Sequence, residues 1–249
     1  MAADAPAVPA IDIQRLRVAY GDFLVLRDVN LRVEQGEIAV IVGGSGCGKS
    51  TLLKAAIGLV EPSSGAVRLL GSELGSLEES RQEALKKRIG VMFQYGALLN
   101  SLTVGENVAL PLEMHTDLGP ELVREVVSTR LRLVGIGQAI DRYPTELSGG
   151  MRKRAALARA MALEPDILFC DEPGAGLDPV TAAEVDRLLL TVNQSLGVTL
   201  VVVTHELLSI DRLGGRLLML AGGEVLFSGP SEEARNSGKA ELAEFFHPQ

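Results

Sequence analysis

The stretch Gly43-Gly44-Ser45-Gly46-Cys47-Gly48-Lys49-Ser50-Thr51 fits the pattern G-x-x-x-x-G-K-[ST]. Ahead of it runs Ile38-Ala39-Val40-Ile41-Val42, continuous and apolar as a buried strand is. Behind it, Thr51 to Gly58 carries Leu52, Leu53, Ala55, Ala56 and Ile57, which suit a helix packed on a sheet. A glycine-rich loop between a strand and a helix N-terminus is the context in which this pattern grips phosphate. Glycines let backbone N–H groups turn inward onto phosphate oxygens, and the helix N-terminus adds positive potential. In that setting Lys49 reaches the β- and γ-phosphates of a nucleotide, and the Ser50 hydroxyl ligates Mg²⁺. The alternative is an ordinary glycine-rich turn, against which the flanking strand and helix argue.

The 249 residues suffice for one large α/β domain, or for a core with a subdomain. A net charge of −8 argues against nucleic acid as the main partner, because phosphate contacts need a basic face. The two cysteines, Cys47 and Cys170, read as reduced thiols of a cytoplasmic protein, since a disulfide would constrain the phosphate loop. Cys47 is either an oxidation-sensitive thiol or, the preferred reading, a small loop filler. Met1 to Ala10 contains Asp4, no Lys or Arg and no long apolar core, so it reads as neither signal peptide nor anchor. No apolar run approaches the roughly 18 residues of a membrane span, so membrane association is expected through a partner.

Residues 1–10 are rich in Ala and Pro and are expected to be disordered. Ile11–Ala19, Phe23–Leu26 and Val29–Val33 read as short strands, with turns at Tyr20-Gly21-Asp22 and Gln35-Gly36. Tyr20, in a turn shortly before the phosphate loop, offers an aromatic face to a base or is simply packed. Gly65–Gly71 reads as a strand. Ser76 to Arg88 reads as a helix, with capping boxes at Ser76–Glu79 and Ser80–Glu83. Ile89–Phe93 is apolar and ends at Gln94. From Tyr95 to about Leu163 helical periodicity takes over, with helices expected over Pro120–Gly135 and Met151–Leu163 in an inserted subdomain. Buried strands return at Ile167–Cys170 and Thr199–Val203. Between them Val185, Leu188, Leu189, Val192 and Leu196 mark a helix. Strands alternating with helices imply a parallel sheet covered on both faces. Arg216–Ala221 and Glu224–Ser228 read as a closing hairpin, and Ser231 to Gln249 as a short helical appendix, which either regulates or bridges subunits or is a mobile end.

Asp171 and Glu172 follow the apolar run Ile167–Cys170, at the sheet edge where ligands of open α/β sheets bind. Asp171 suits the Mg²⁺ shell, and Glu172 suits polarising an attacking water; a helix N-cap is the bland alternative. His205 ends Val202-Val203-Thr204 and is placed for the γ-phosphate and that water. Gln94 likewise ends a strand, within reach of the metal or the water. Leu147-Ser148-Gly149-Gly150 then opens a helix with exposed N–H groups and a hydroxyl, a second anion site. One phosphate loop suffices for one ATP. A second γ-phosphate receptor therefore implies two copies closing head-to-tail around two ATPs.

From about Ile11 to Gly229 the chain resembles the ATP-binding-cassette (ABC) ATPases. The phosphate loop, Gln94, Leu147-Ser148-Gly149-Gly150, Asp171-Glu172, Gly176-Leu177-Asp178-Pro179 and His205 stand in that family's order. The resemblance implies an α/β fold: a P-loop NTPase (RecA-like) core with N-terminal antiparallel strands and an inserted α-helical subdomain. Its parts would be 11–96 with 164–230 for the core, 97–163 for the helical subdomain and 231–249 for the tail. It also implies that residues 43–51, including Gly43, Gly44, Ser45, Gly46, Cys47, Gly48 and Thr51, surround ATP. Tyr20 would stack on adenine, Glu172 would be the general base, and His205 the switch histidine. Leu177 and Asp178 would touch the partner copy, and Gln94 with the segment after it would sense a membrane permease.

A narrower resemblance rests on Met151 after Ser148-Gly149-Gly150, on Val91–Leu98, on Val104–Leu112, on Glu113–Thr116 and on Arg154–Ala160. These look like the ATPase of Mla-type systems, which move phospholipid between bacterial membranes with an MCE-domain protein. The partners implied are an integral permease, an MCE-domain protein and a small STAS-like protein, with the ATPase peripheral on the cytoplasmic face of the inner membrane. Gly174 departs from the family pattern, where a side chain is common, and is expected to loosen the loop leading to Asp178. The rivals are a soluble ABC assembly ATPase of the iron–sulfur scaffold kind, a DNA-maintenance ABC ATPase, and an ABC importer or exporter ATPase for a non-lipid substrate.

Overall fold

The computed structural model describes residues 8–246. Its strands are β1 (Ile11–Tyr20), β2 (Phe23–Val33), β3 (Ile38–Gly43), β4 (Ser64–Leu69), β5 (Ser72–Glu73), β6 (Ile89–Met92), β7 (Ile167–Asp171), β8 (Thr199–Val203), β9 (Arg216–Ala221) and β10 (Glu224–Pro230). Its helices are α1 (Lys49–Ala56), α2 (Glu79–Lys86), α3 (Val104–His115), α4 (Pro120–Leu133), α5 (Gly149–Ala160), α6 (Pro179–Leu196), α7 (Leu207–Leu213), α8 (Ser231–Arg235) and α9 (Ala240–Phe246). The larger sheet has the order β10-β9-β3-β8-β7-β6, parallel except for β10, which returns antiparallel on β9. The smaller sheet, β2-β1-β4-β5, is antiparallel.

The central strands divide their side chains between two cores with the period of two that a pleated strand imposes. Val40 and Val42 of β3, Leu168 and Cys170 of β7, and Leu200 and Val202 of β8 join one buried cluster. Ala39 and Ile41, Ile167 and Phe169, and Val201 and Val203 join the other. The first cluster is covered by α3–α7 and the C-terminal helices. The second is covered by α1 and the antiparallel sheet. A sheet apolar on both faces leaves its strand ends as the place for polar chemistry.

Several boundaries differ from those read in the sequence. Strand β2 runs unbroken through Arg27 and Asp28. The apparent gap at these polar residues reflects solvent-facing positions, and the pairing with β1 absorbs register shifts. Neither capping box before α2 is made. Leu74–Ser76 forms a 3₁₀ turn, and Glu78 is the N-cap without a side-chain bond. Ala10 is fully buried and its carbonyl accepts the Leu70 N–H at 2.9 Å, so the expected disorder does not reach that residue. Residues 1–7 lie outside the described part. The tail is docked as far as Phe246: Ala234, Leu242 and Phe246 enter the first core, and Arg235 lies 4.5 Å over the Phe246 ring. This overturns a mobile end for 231–246.

Helix α3 lies in the stretch of expected helical periodicity but outside the two helices given bounds there; Pro111 lies inside it and removes a backbone donor. Two devices hold it. Thr103 and Glu106 form a reciprocal capping box, each backbone N–H donating to the other's side chain at 2.6 and 3.2 Å. Asn107, fully buried, accepts the Leu99 N–H at 2.8 Å and donates to the carbonyls of Leu99, Leu102 and Thr103. It thereby fixes the segment that follows Gln94. Replacing Asn107 with Ala strands these buried groups. The variant is expected to lose about 2–3 kcal/mol of stability, read as a lowered urea midpoint with an unchanged slope.

Candidate functional site

Strand register brings the candidate residues to one edge. Ile41 pairs with Val203, Val203 with Asp171, and Cys170 with Met92. Within three residues of that line the chain leaves the sheet into four loops. These carry the phosphate loop after β3, Gln94 after β6, Glu172 after β7 and His205 after β8.

Steric exclusion fixes the glycines of the phosphate loop. A Cβ on Gly43, at φ 147°, would lie 2.3 Å from the Leu220 carbonyl oxygen and 2.7 Å from Cys47 Sγ. On Gly48, at φ 107°, it would lie 2.6 Å from Leu26 Cδ2. Gly48 is also the N-cap of α1, and no side chain caps that helix. Its first-turn N–H groups therefore present a positive terminus to an anion. Gly44, Ser45, Gly46 and Ser50 are exposed, and Thr51 is half-buried. The Lys49 ammonium folds back onto the carbonyls of Gly43 and Gly44, both at 2.9 Å, placing a cation inside the loop. Cys47 is a half-buried free thiol packed against the second core, as a loop filler is. Burial pushes the Cys170 thiol up to about 12.

Asp171 and Glu172 occupy different surroundings. Burial raises the pKa of Asp171, and the neighbouring Glu172 adds to the rise; Lys54, Lys153 and Lys49 pull the other way. Glu172 has a left-handed backbone, φ 49°, and is 8% exposed. Its N–H donates to the Val203 carbonyl at 2.8 Å. One carboxylate oxygen, Oε1, lies 2.8 Å from His205 Nδ1, while Oε2 is buried without a partner.

The other candidates stand further out. Tyr20, at the tip of the β1–β2 hairpin, is half exposed. Its hairpin reaches the phosphate loop through Val25 and Leu26, the neighbours of Gly48. Ser148 caps α5, its hydroxyl accepting the Met151 N–H at 3.2 Å. Gly150 is buried rather than presented to solvent: a Cβ there would lie 2.4 Å from Thr181 Cγ2. Its glycine serves close packing of α5 on α6, and exposure falls to Ser148. Asp178 caps α6 by accepting the N–H groups of Val180 and Thr181 at 3.0 and 3.1 Å. Gly174 is buried, and Glu206 Oε2 lies 3.0 Å from where its Cβ would be, with Ala182 at 3.4 Å. The loop is packed, which corrects the expected loosening.

Lys153 escaped the sequence reading. It is 7% exposed, and its ammonium donates to the carbonyls of Gln94 at 2.5 Å and Glu172 at 2.9 Å. A signal was available. Gly150, Lys153 and Leu157 share the buried stripe of α5. Moreover Arg152, Lys153 and Arg154 crowd the positive end of a helix, where cations are unfavourable unless bound elsewhere.

A glycine cradle at a helix N-terminus, on the same sheet edge as two consecutive carboxylates at the end of β7, defines a nucleoside-triphosphate-binding ATPase. The ABC transporter family profile matches residues 26–175, and the chain belongs to that family. The chain is 42% identical over 223 residues to the methionine import ATP-binding protein MetN of Clostridioides difficile (strain 630), covering 90% of this chain and 69% of that one. It is 36% identical over 235 residues to the intermembrane phospholipid transport system ATP-binding protein MlaF of Haemophilus influenzae, covering 94% and 89%. Among solved structures, a dimeric post-hydrolysis state of the ATP-binding cassette MJ0796 bound to ADP and Pi superposes with a TM-score of 0.80. The two share 31% identity over 89% of this chain and 98% of that one.

Gly48→Ala is expected to weaken ATP binding by roughly tenfold or more, since about 1.4 kcal/mol of distortion suffices for that factor. Titration with a fluorescent ATP analogue checks this, with circular dichroism confirming an intact fold.

Proposed function

We propose that two copies of this ABC transporter ATP-binding subunit close around two Mg·ATP and drive a separate membrane permease that moves phospholipid or a related lipid. The observation that carries the hydrolytic part is the Glu172 carboxylate, anchored through Oε1 on His205 with Oε2 buried and unpartnered. Oε2 accepts a proton from the attacking water. The water oxygen bonds to the γ-phosphorus as the bond to the β–γ bridging oxygen breaks. Lys49 exchanges the Gly43 and Gly44 carbonyls for phosphate oxygens, and Tyr20 stacks on the adenine.

The Ser50 hydroxyl, the Asp171 carboxylate and the Gln94 amide oxygen would hold Mg²⁺. All are hard oxygen donors, and no cluster of three His, Cys, Asp or Glu occurs among the described residues. Such a set fits an ion that keeps waters and arrives with phosphates rather than a resident all-protein site. When bound there, the ion would supply neutralisation of phosphate charge.

The exposed Ser148 and adjoining Gly149 receive the γ-phosphate held by the other copy, and Asp178 lies on the loop between copies. The dimeric cassette with ADP and Pi supports this arrangement. No helix among the described residues is long and apolar enough to cross a membrane. In this reading the permease holds the chain at the cytoplasmic face of the membrane, with MCE-domain and STAS-like proteins as further partners. Similarity to MlaF over most of both chains supports lipid as cargo. The identity to MetN favours a second reading, import of a small solute.

Glu172→Gln is expected to bind ATP, accumulate two-copy species on size exclusion and lose turnover by about a hundredfold or more. Wild-type turnover in that variant would remove Glu172 from its role. The cargo is decided by mild-detergent purification of the tagged chain from native membranes, with mass spectrometry of proteins and lipids. A polytopic permease with an MCE-domain protein and phospholipid supports lipid. A permease with a solute-binding protein and no lipid overturns it in favour of solute import. Recovery of soluble partners alone removes the permease as well.

A further inference from the structure

We propose that Lys153 is a positioning residue that couples the orientation of helix α5 to the two loops carrying Gln94 and Glu172. Its single ammonium bridges the Gln94 carbonyl, at 2.5 Å, and the Glu172 carbonyl, at 2.9 Å. These are the first residues to leave the line of β6 and β7 beyond Phe93 and Asp171. No other side chain is hydrogen-bonded to both loops among the described residues. The inference rests on the roles proposed above for Gln94 and Glu172.

Three observations make this more than a space-filling contact. First, the lysine is buried with its charge, in a helix whose neighbours Ala155, Ala156, Leu157 and Ala158 are apolar. Burial lowers its pKa, while the fields of Glu172 and Asp171 oppose that shift. A buried cation is unfavourable unless fixed groups receive it, and the two carbonyls do so through charge-assisted bonds. Second, the Glu172 carbonyl belongs to a residue held at φ 49°, a backbone that bulky L-residues adopt only where the surroundings impose it. Its N–H is tied to Val203, and its carbonyl is shared between the Ala175 N–H at 3.2 Å and Lys153. The lysine is thus the tie that comes from outside the core. Third, the flanking arginines anchor the same end of α5 elsewhere. Arg152 donates to the Leu147 carbonyl at 2.8 Å and Arg154 to the Val134 carbonyl at 2.9 Å. Arg154 also pairs with Glu184 at 2.8 Å. The start of α5, which carries Ser148 and Gly149, is clamped on three sides, and only Lys153 points into the site. A rotation of α5 on meeting a second copy's nucleotide therefore moves the Gln94 and Glu172 backbones together.

The test compares Lys153→Met, which preserves length and removes the donor, with Lys153→Arg, which keeps charge and donors. Steady-state ATP hydrolysis and thermal unfolding are measured on the full chain. The Met variant is expected to lose kcat by about ten- to a hundredfold, with KM for ATP within about threefold of wild type, because the nucleotide contacts are untouched. Its melting temperature should fall by no more than a few degrees, since the Gln94 carbonyl loses its side-chain donor while the cost of burying the ammonium is relieved. The Arg variant should recover part of kcat. Wild-type kcat in the Met variant overturns the inference. So does a loss of kcat matched by the unfolded fraction, or one shared equally by the Arg variant. If the Met variant does not fold, Lys153→Gln replaces it, with the same split between kcat and KM expected and wild-type kcat again overturning. Glu172→Gln run alongside separates the failures. If it is inactive while Lys153→Met is normal, only the coupling fails; if it turns over normally, the role of Glu172 fails first.

Discussion

The central strands of the larger sheet have no wet face. Every residue of β8 is buried, and the side chains of β3 and β7 alternate between two dry cores. Backbone groups along these strands are consumed by the parallel ladder, so polar function is confined to the ends. The register of Ile41, Val203 and Asp171 aligns those ends. Everything chemical in the molecule follows from that alignment. The phosphate loop, the two carboxylates, Gln94 and His205 are distant in sequence, and the sheet converts them into neighbours.

Charge within this edge is arranged against a shortage of water. Asp171 and Glu172 are adjacent acids at a partly dry position, and burial raises the pKa of Asp171. Lys49, Lys54 and Lys153 counter it from two helices: the first and last turns of α1 and the buried stripe of α5. Two of these cations are fixed near Asp171 by backbone carbonyls rather than by direct ion pairs. The Gly43 and Gly44 carbonyls fix Lys49, and those of Gln94 and Glu172 fix Lys153.

Much of this is legible in the amino-acid sequence. Continuous apolar runs ending in Gly43, Asp171 and Thr204-His205 announce central parallel strands and their functional ends, because a two-sided core leaves no other pattern. What escaped was decided by tertiary contacts. The sequence sets no bounds for helix α3, and Pro111 removes a donor inside it, yet a capping box and the four bonds of Asn107 hold it. Gly150 reads as a free anion-binding glycine until Thr181 of α6 is seen against it. Gly174 reads as slack until Glu206 is found filling the space. Lys153 sits in a basic triplet that looks solvated, and only the helical phase of Gly150 and Leu157 betrays its burial. For Gly150 and Gly174 the deciding neighbour lies more than 20 residues away, and for Lys153 it is a helix face, neither of which short-range pattern contains.

The two thiols of the chain lie in opposite circumstances. Cys170 is enclosed in the first core with its proton held up to about 12, while Cys47 stands half-buried in the loop that grips phosphate. Alkylating reagents act on accessible thiolates, so the core thiol is silent towards them while the fold persists. The native chain consequently carries a site-specific chemical label at its nucleotide cradle without engineering. The rate at which that label attaches becomes a clock for how long the cradle stands open.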